Sequence, residues 1–128
     1  MSISAHIQTD VNGDIVVEFN GALEYETGQM LREQLQTLVK EYPAAKITLD
    51  FCHVEFVGSS GIGKFVETYN LITSKTDQLS LRHVKPEFIK VFKLYHLSGI
   101  EEIERQTEEE ESQFADFRKI KKSLARRF

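Results

Sequence analysis

Ser59 and Ser60 stand side by side in the run Asp50-Phe51-Cys52-His53-Val54-Glu55-Phe56-Val57-Gly58-Ser59-Ser60-Gly61-Ile62-Gly63. The first half is a hydrophobic strand. The small-residue turn that follows opens an amphipathic helix carrying Ile62, Phe65, Val66, Tyr69 and Ile72 at helical spacing. Backbone N–H groups in the first turn of a helix lack intrahelical partners and favour negative charge. A phosphate on Ser59 or Ser60 would therefore meet donors already in place. The plainer role for either serine is to cap the helix, which serines do routinely.

Other chemistry fits this run less well. Gly58 to Lys64 has the G-x-x-x-x-G-K spacing of a phosphate-binding loop, but Phe65 stands where a magnesium-ligating Ser or Thr belongs. The hydrolase elbow G-x-S-x-G fails because Ile62 replaces its last glycine. His6, His53, His83 and His96 are scattered without H-x-x-x-H spacing or cysteine partners, so no zinc site is expected. His53 and Glu55 lie two apart on the strand and face the same side, where a surface pair is the simpler role. No catalytic set, metal or cofactor is implied.

Strands and helices must hold that junction in place. Asn12-Gly13 is a turn pair, so residues 3–8 are expected to form a hairpin with the alternating Ile15, Val17 and Phe19. From Thr27 the period changes to that of a helix, with Leu31, Leu35, Leu38 and Tyr42 on its stripe and Pro43 as its end. Ile47, Leu49 and Phe51 return to the strand period. After the second helix, Leu79 and Leu81 mark another strand. Pro86 opens a third helix carrying Phe88, Ile89, Phe92 and Tyr95, with Gly99 as its stop. Helices and strands that alternate after an opening hairpin predict an α/β fold, a mixed sheet whose later strands run parallel.

The chain of 128 residues suits one core, and 41% hydrophobic with 28% charged residues excludes wholesale disorder. A net charge of −4 offers no nucleic-acid face. Cys52 is the only cysteine, so no internal disulfide forms and a reducing, cytoplasmic setting fits. Its place in an apolar strand predicts a packed side chain. The start of the chain has no signal-peptide pattern, and no stretch is apolar enough for a membrane span.

The tail differs in character. Four consecutive acids at 108–111 give way to six basic residues and no acidic one over 117–128. Thr107 with Glu110 has capping-box spacing, and Phe114, Phe117, Ile120, Leu124 and Phe128 recur at three- and four-residue steps. Residues 106–128 are expected to form a charged amphipathic C-terminal helix packed on a domain of residues 1–105.

The Gly58-Ser59-Ser60-Gly61-Ile62-Gly63 turn resembles the Asp-Ser-Ser-Gly-Leu-Gly signature of the STAS domain in bacterial anti-sigma factor antagonists. Gly21-Ala22-Leu23-Glu24 is similar to the family's Gly-Glu-Leu-Asp, and residues 86–100 resemble its third helix and following turn. The resemblance covers roughly residues 5–105. It departs at Gly58, where the family carries an aspartate. The resemblance implies a STAS fold, with helices packed on one face of the sheet. It also implies partner switching without catalysis, in which a protein partner that is both anti-sigma factor and serine kinase binds when Ser60 is unphosphorylated and leaves once it is phosphorylated. The implied partner surface is Leu23, Glu24, Tyr25, Gly58, Ser59, Ser60, Gly61 and Ile62. The absent aspartate keeps open an alternative: a constitutive, unphosphorylated scaffold or transport-associated module.

Overall fold

The turn at Asn12-Gly13 is built as its residues require. Gly13 takes a φ of 84°, and Asp10 Oδ1 accepts the N–H groups of Asn12 and Asp14 at 2.8 and 3.0 Å. It joins β1 (Ile3–Thr9) to β2 (Ile15–Leu23) as an antiparallel hairpin. The computed structural model describes residues 3–110 and 112, with the backbone alone at Ile3, Tyr25, Phe56, Ser59 and Ser60.

After the hairpin come α1 (Tyr25–Glu41), β3 (Ile47–Val57), α2 (Ser59–Lys75), β4 (Leu79–Arg82), α3 (Pro86–Leu94) and a further helix, α4, over residues 100–110. The four strands form one sheet in the order β1-β2-β3-β4, and β2, β3 and β4 are parallel. This is the mixed α/β arrangement expected from the alternating periods.

One sheet face is buried under the helices. Ile15, Val17 and Phe19 of β2, Ile47, Leu49 and Phe51 of β3, and Leu79 and Leu81 of β4 all point into the core, whereas Val16, Glu18 and Thr48 between them are part-exposed. Phe51 is the hub of an aromatic cluster, with ring centroids 5.6–5.9 Å from Phe19, Phe65 and Phe92. It thus joins β2, α2 and α3 to the middle of the sheet.

The alternation in β3 is broken twice. Glu18 faces Asp50 while Asn20 faces His53, and Gly21 faces Val54 while Ala22 faces Phe56. At each step β3 spends one more residue than β2, as a β-bulge does. The buried positions therefore run Phe51, Val54, Val57 in steps of three, and His53 and Glu55 remain outside. Cys52 is exposed, which corrects the expectation of a packed thiol. It directly follows the buried Phe51, so it falls on the opposite side of the strand.

Helix ends also differ from expectation. α3 stops at Leu94, and His96, with a φ of 58°, takes the left-handed position that glycine usually fills. The amide of Leu97 donates to Phe92 O, and Asn70 of α2 holds the turn by donating to His96 O and accepting from Ser98 N–H. Gly99, at a φ of 74°, instead precedes α4. Thr107 lies inside α4 rather than at a helix start, and its hydroxyl donates back to Ile103 O at 3.0 Å. A Lys93–Glu104 ion pair links α3 to α4. The stripe from Phe114 to Phe128 lies outside the described residues.

Asp50 ties β3 to the end of β4. It is 4% exposed and accepts Cys52 N–H at 2.9 Å, Arg82 Nε at 3.1 Å and His83 Nδ1 at 3.1 Å. Burial pushes its pKa up, but these three donors and the nearby His83 charge outweigh that and hold it below the ordinary value. The folded carboxyl thus keeps its charge at a pH where the unfolded one protonates. The stability it adds is full above the ordinary carboxylate range and is lost as pH falls through the folded value. Asp50→Asn should cost about 1.5–3 kcal/mol at neutral pH, the usual worth of hydrogen bonds to a charged group. In pH-dependent urea melts the gap between variant and wild type should close as the carboxylate protonates.

Candidate functional site

β2 and β3 run parallel and end together, with Leu23 paired to Val57. A helix leaves from each end. Gly58 N–H donates to Leu23 O at 2.8 Å, which fixes the two exits side by side. Both helix N-termini, with their outward-pointing amides and partial positive charge, therefore meet at one edge of the molecule.

Glu24 is the N-cap of α1 and closes a capping box with Thr27. Glu24 N–H donates to Thr27 Oγ1 at 2.7 Å, and the Thr27 hydroxyl donates to Ala22 O at 2.8 Å. Thr27 is 3% exposed, so this pin is sheltered from water. Gly58 is the N-cap of α2 and has no side chain to cap with. Gly61 N–H and Ile62 N–H both donate to Gly58 O, at 3.1 and 3.0 Å, and close the first turn of α2. Ser59 and Ser60 are the first two residues of that helix.

The two first turns touch through glycine. A Cβ on Gly61 would lie 2.6 Å from Glu24 Cα and nearer still to its carbonyl group. A Cβ on Gly28 would lie 2.9 Å from Gly61 O. Gly61 is thus needed for close approach and not for an unusual φ. Glu24 is held against the residue that follows Ser60. Gly28 was not singled out from the sequence. Its one signal is a glycine inside a helical run, which costs about 1 kcal/mol against alanine and so implies a packing reason.

The eight residues expected at the partner surface are gathered at this edge, in different roles. The Leu23 and Ile62 side chains are in the core, at 1% and 0% exposure. Gly58 and Gly61 are buried, and Glu24 is half-buried. Tyr25, Ser59 and Ser60 occupy the first positions of α1 and α2. Lys64 and Phe65 follow on α2, and Phe65 is fully buried, so the position that a phosphate-binding loop gives to a magnesium ligand serves the core. No described helix is long and apolar enough to cross a membrane.

The chain belongs to the STAS domain family, whose model matches residues 4–110. It is 29% identical over 88 residues to the anti-sigma F factor antagonist of Paenibacillus polymyxa, covering 69% of this chain and 73% of that one. It is 27% identical over 108 residues to the anti-sigma-B factor antagonist of Bacillus subtilis strain 168, covering 84% of this chain and 96% of that one. The solved structure of the Bacillus cell fate determinant SpoIIAA in its phosphorylated form matches with a TM-score of 0.57 at 20% identity, over 78% of this chain and 87% of that one. That last likeness is one of fold.

Gly61→Ala should force α1 and α2 apart, because the obstructing atoms are backbone and cannot rotate away. A loss of about 1–3 kcal/mol, typical of overpacking, is expected in denaturant melts. An unchanged midpoint would show that the two turns separate freely.

Proposed function

We propose that this STAS-domain protein is an anti-sigma factor antagonist that works by partner switching. It binds an anti-sigma factor with serine kinase activity while Ser60 is unphosphorylated and releases it once Ser60 carries phosphate. The observation that carries this reading is the pairing of two helix N-termini, with Ser60 in the first turn of one and Glu24 capping the other. The names of the two antagonists it resembles support the role.

The chain itself does no catalysis in this reading and needs no cofactor; the partner is the kinase. The Ser60 hydroxyl attacks the γ-phosphate of ATP, the bond to the β-phosphate oxygen breaks, ADP leaves, and the hydroxyl proton passes to the kinase's base. The product adds about −1.5 to −2 charges and three acceptor oxygens at the contact surface. Like charges brought together at an interface cost several kcal/mol, and about 1.4 kcal/mol is already tenfold in affinity. A cytoplasmic setting is part of the proposal.

Gly58 tunes the switch. It places no carboxylate beside the acceptor, so a phosphate there meets one negative charge fewer. It also removes a group that could orient Ser60 in the kinase, and misplacing a reacting group costs on the order of 100-fold in rate. Transfer to Ser60 is therefore slow, and Gly58→Asp should speed it. Glu24 supplies the anionic contact, while Leu23 and Ile62 hold the surface from below.

The test is incubation with the cognate kinase and ATP, read by intact mass, together with calorimetric titration of the partner. Wild type should gain one phosphate and Ser60→Ala none. Ser60→Asp should bind at least about tenfold more weakly, while Ser60→Ala retains affinity. Glu24→Gln keeps a capping oxygen but loses the charge, so it should weaken binding and leave the melting temperature nearly unchanged. No phosphate on wild type, with equal affinity for both Ser60 variants, would assign the chain to the constitutive module that Gly58 favours.

The expected C-terminal helix of residues 106–128 we assign to a continuation of α4, which already runs through 105 and 106, with its charged amphipathic stripe packed on the domain. Support comes from α4, which packs on the domain through Ile103 and Thr107. Each large side chain of that stripe would contribute at most about 1.5–3 kcal/mol on burial. Deletion of 113–128 should lower the melting temperature measurably; an unchanged value would show that the stripe does not dock.

A further inference from the structure

The end of β4 brings His83 to Asp50 and Cys52, which lie two apart on β3. Asp50 and His83 are 33 positions apart, yet Asp50 Oδ1 and His83 Nδ1 are 3.1 Å from each other. Cys52 joins them: a carboxylate oxygen, a thiol sulfur and an imidazole nitrogen all lie within 4.8 Å of one another. This grouping was invisible in the sequence because a parallel pairing, Asp50 opposite Arg82, sets it up.

The donor set has a definite chemical preference. Thiolate, imidazole and carboxylate are the ligands of zinc, and sites with three protein ligands keep a fourth position for water or another molecule. Thiolate discriminates against magnesium and calcium, which take oxygen. The surroundings orient the ligands. Arg82 Nε donates to Asp50 Oδ2 at 3.1 Å, while Oδ1, on the cluster side, accepts Cys52 N–H at 2.9 Å and faces His83 Nδ1 at 3.1 Å. Glu110 Oε1 lies 3.9 Å from His83 Nε2, so a carboxylate stands by the nitrogen that faces away from the cluster. At that distance the contact is electrostatic rather than a hydrogen bond, and Nδ1 ligates only in the tautomer that carries its proton on Nε2.

His83 sits at a φ of 56° in the turn after β4, a left-handed position that histidine enters more readily than most residues and that His96 also takes. In that turn its imidazole lies against Asp50.

We propose that Asp50, Cys52 and His83 bind a thiophilic divalent cation of the zinc class, with solvent completing the coordination. Binding forms a metal–sulfur bond, and the Cys52 thiol proton leaves to solvent. The site lies on β3 well before the Gly58–Ser60 turn and is independent of the switch assigned to Ser60.

The test titrates the full chain with zinc chloride against a chromophoric chelator, and separately with cobalt chloride to read the thiolate-to-metal charge-transfer band. Wild type should bind one equivalent of zinc in the micromolar range or tighter and show the band. Zinc should also shield Cys52 from alkylation, read by intact mass. Cys52→Ser, at an exposed position, should weaken binding at least tenfold and abolish the band. His83→Asn, whose side chain tolerates the left-handed backbone, should weaken binding similarly. His53→Ala, on the same strand but outside the cluster, should change nothing. Wild type that binds no zinc below about 100 µM, or equal affinity in wild type and Cys52→Ser, would overturn the proposal. The cobalt band and the alkylation readout need no variant, so poor folding of His83→Asn would not spare it.

Discussion

Two glycines allow the backbones of α1 and α2 to touch, and the edge that carries the paired serines exists because of that contact. Gly61 presses on the main chain of Glu24, and Gly28 presses on Gly61. Since the obstructing atoms are backbone, no rotamer change can make room for a larger residue. The parallel end of β2 and β3 sets the two exits, the Gly58-to-Leu23 hydrogen bond sets their spacing, and the glycines set their depth. Everything proposed for Ser60 presumes that this geometry is held before any partner arrives.

Much of the architecture was legible because its physics is local. Period-two alternation at Ile15, Val17 and Phe19 and at Ile47, Leu49 and Phe51 reported a half-buried sheet, and the stripes of α1 and α2 reported helices lying on it. The Asn12-Gly13 turn and Pro86 at the first turn of α3 are equally local signals, and the structure bears them out. The serine pair was legible as a strand–helix junction for the same reason.

What was not legible depends on tertiary register. A bulge cannot be seen in a strand's own residues, since it is defined by the partner strand; hence the three-residue steps from Phe51 to Val54 and Val57 were hidden, while Cys52 lies outside by the strand's ordinary alternation. Gly99 looked like the stop of α3, but Asn70 of α2 stabilises the turn at His96 instead, a contact from across the fold. Thr107 and Glu110 have the spacing of a cap, yet Gly99 starts the helix earlier and Thr107 falls within it. The assembly of Asp50, Cys52 and His83 was hidden for the same reason: it requires knowing that β4 lies beside β3.

The sheet is asymmetric at its margins. β4 pairs with only the first part of β3, and β1 is paired on one side alone. Among the described residues, β1 therefore presents an open row of amides and carbonyls along its far side, next to Ile7, which is 53% exposed. Such a margin is a template onto which another extended chain can add. Its polar residues His6, Gln8 and Thr9 temper that tendency. Among the described residues the longer open edge thus lies at the opposite side of the sheet from β4, on a strand that takes no part in holding the serine turn.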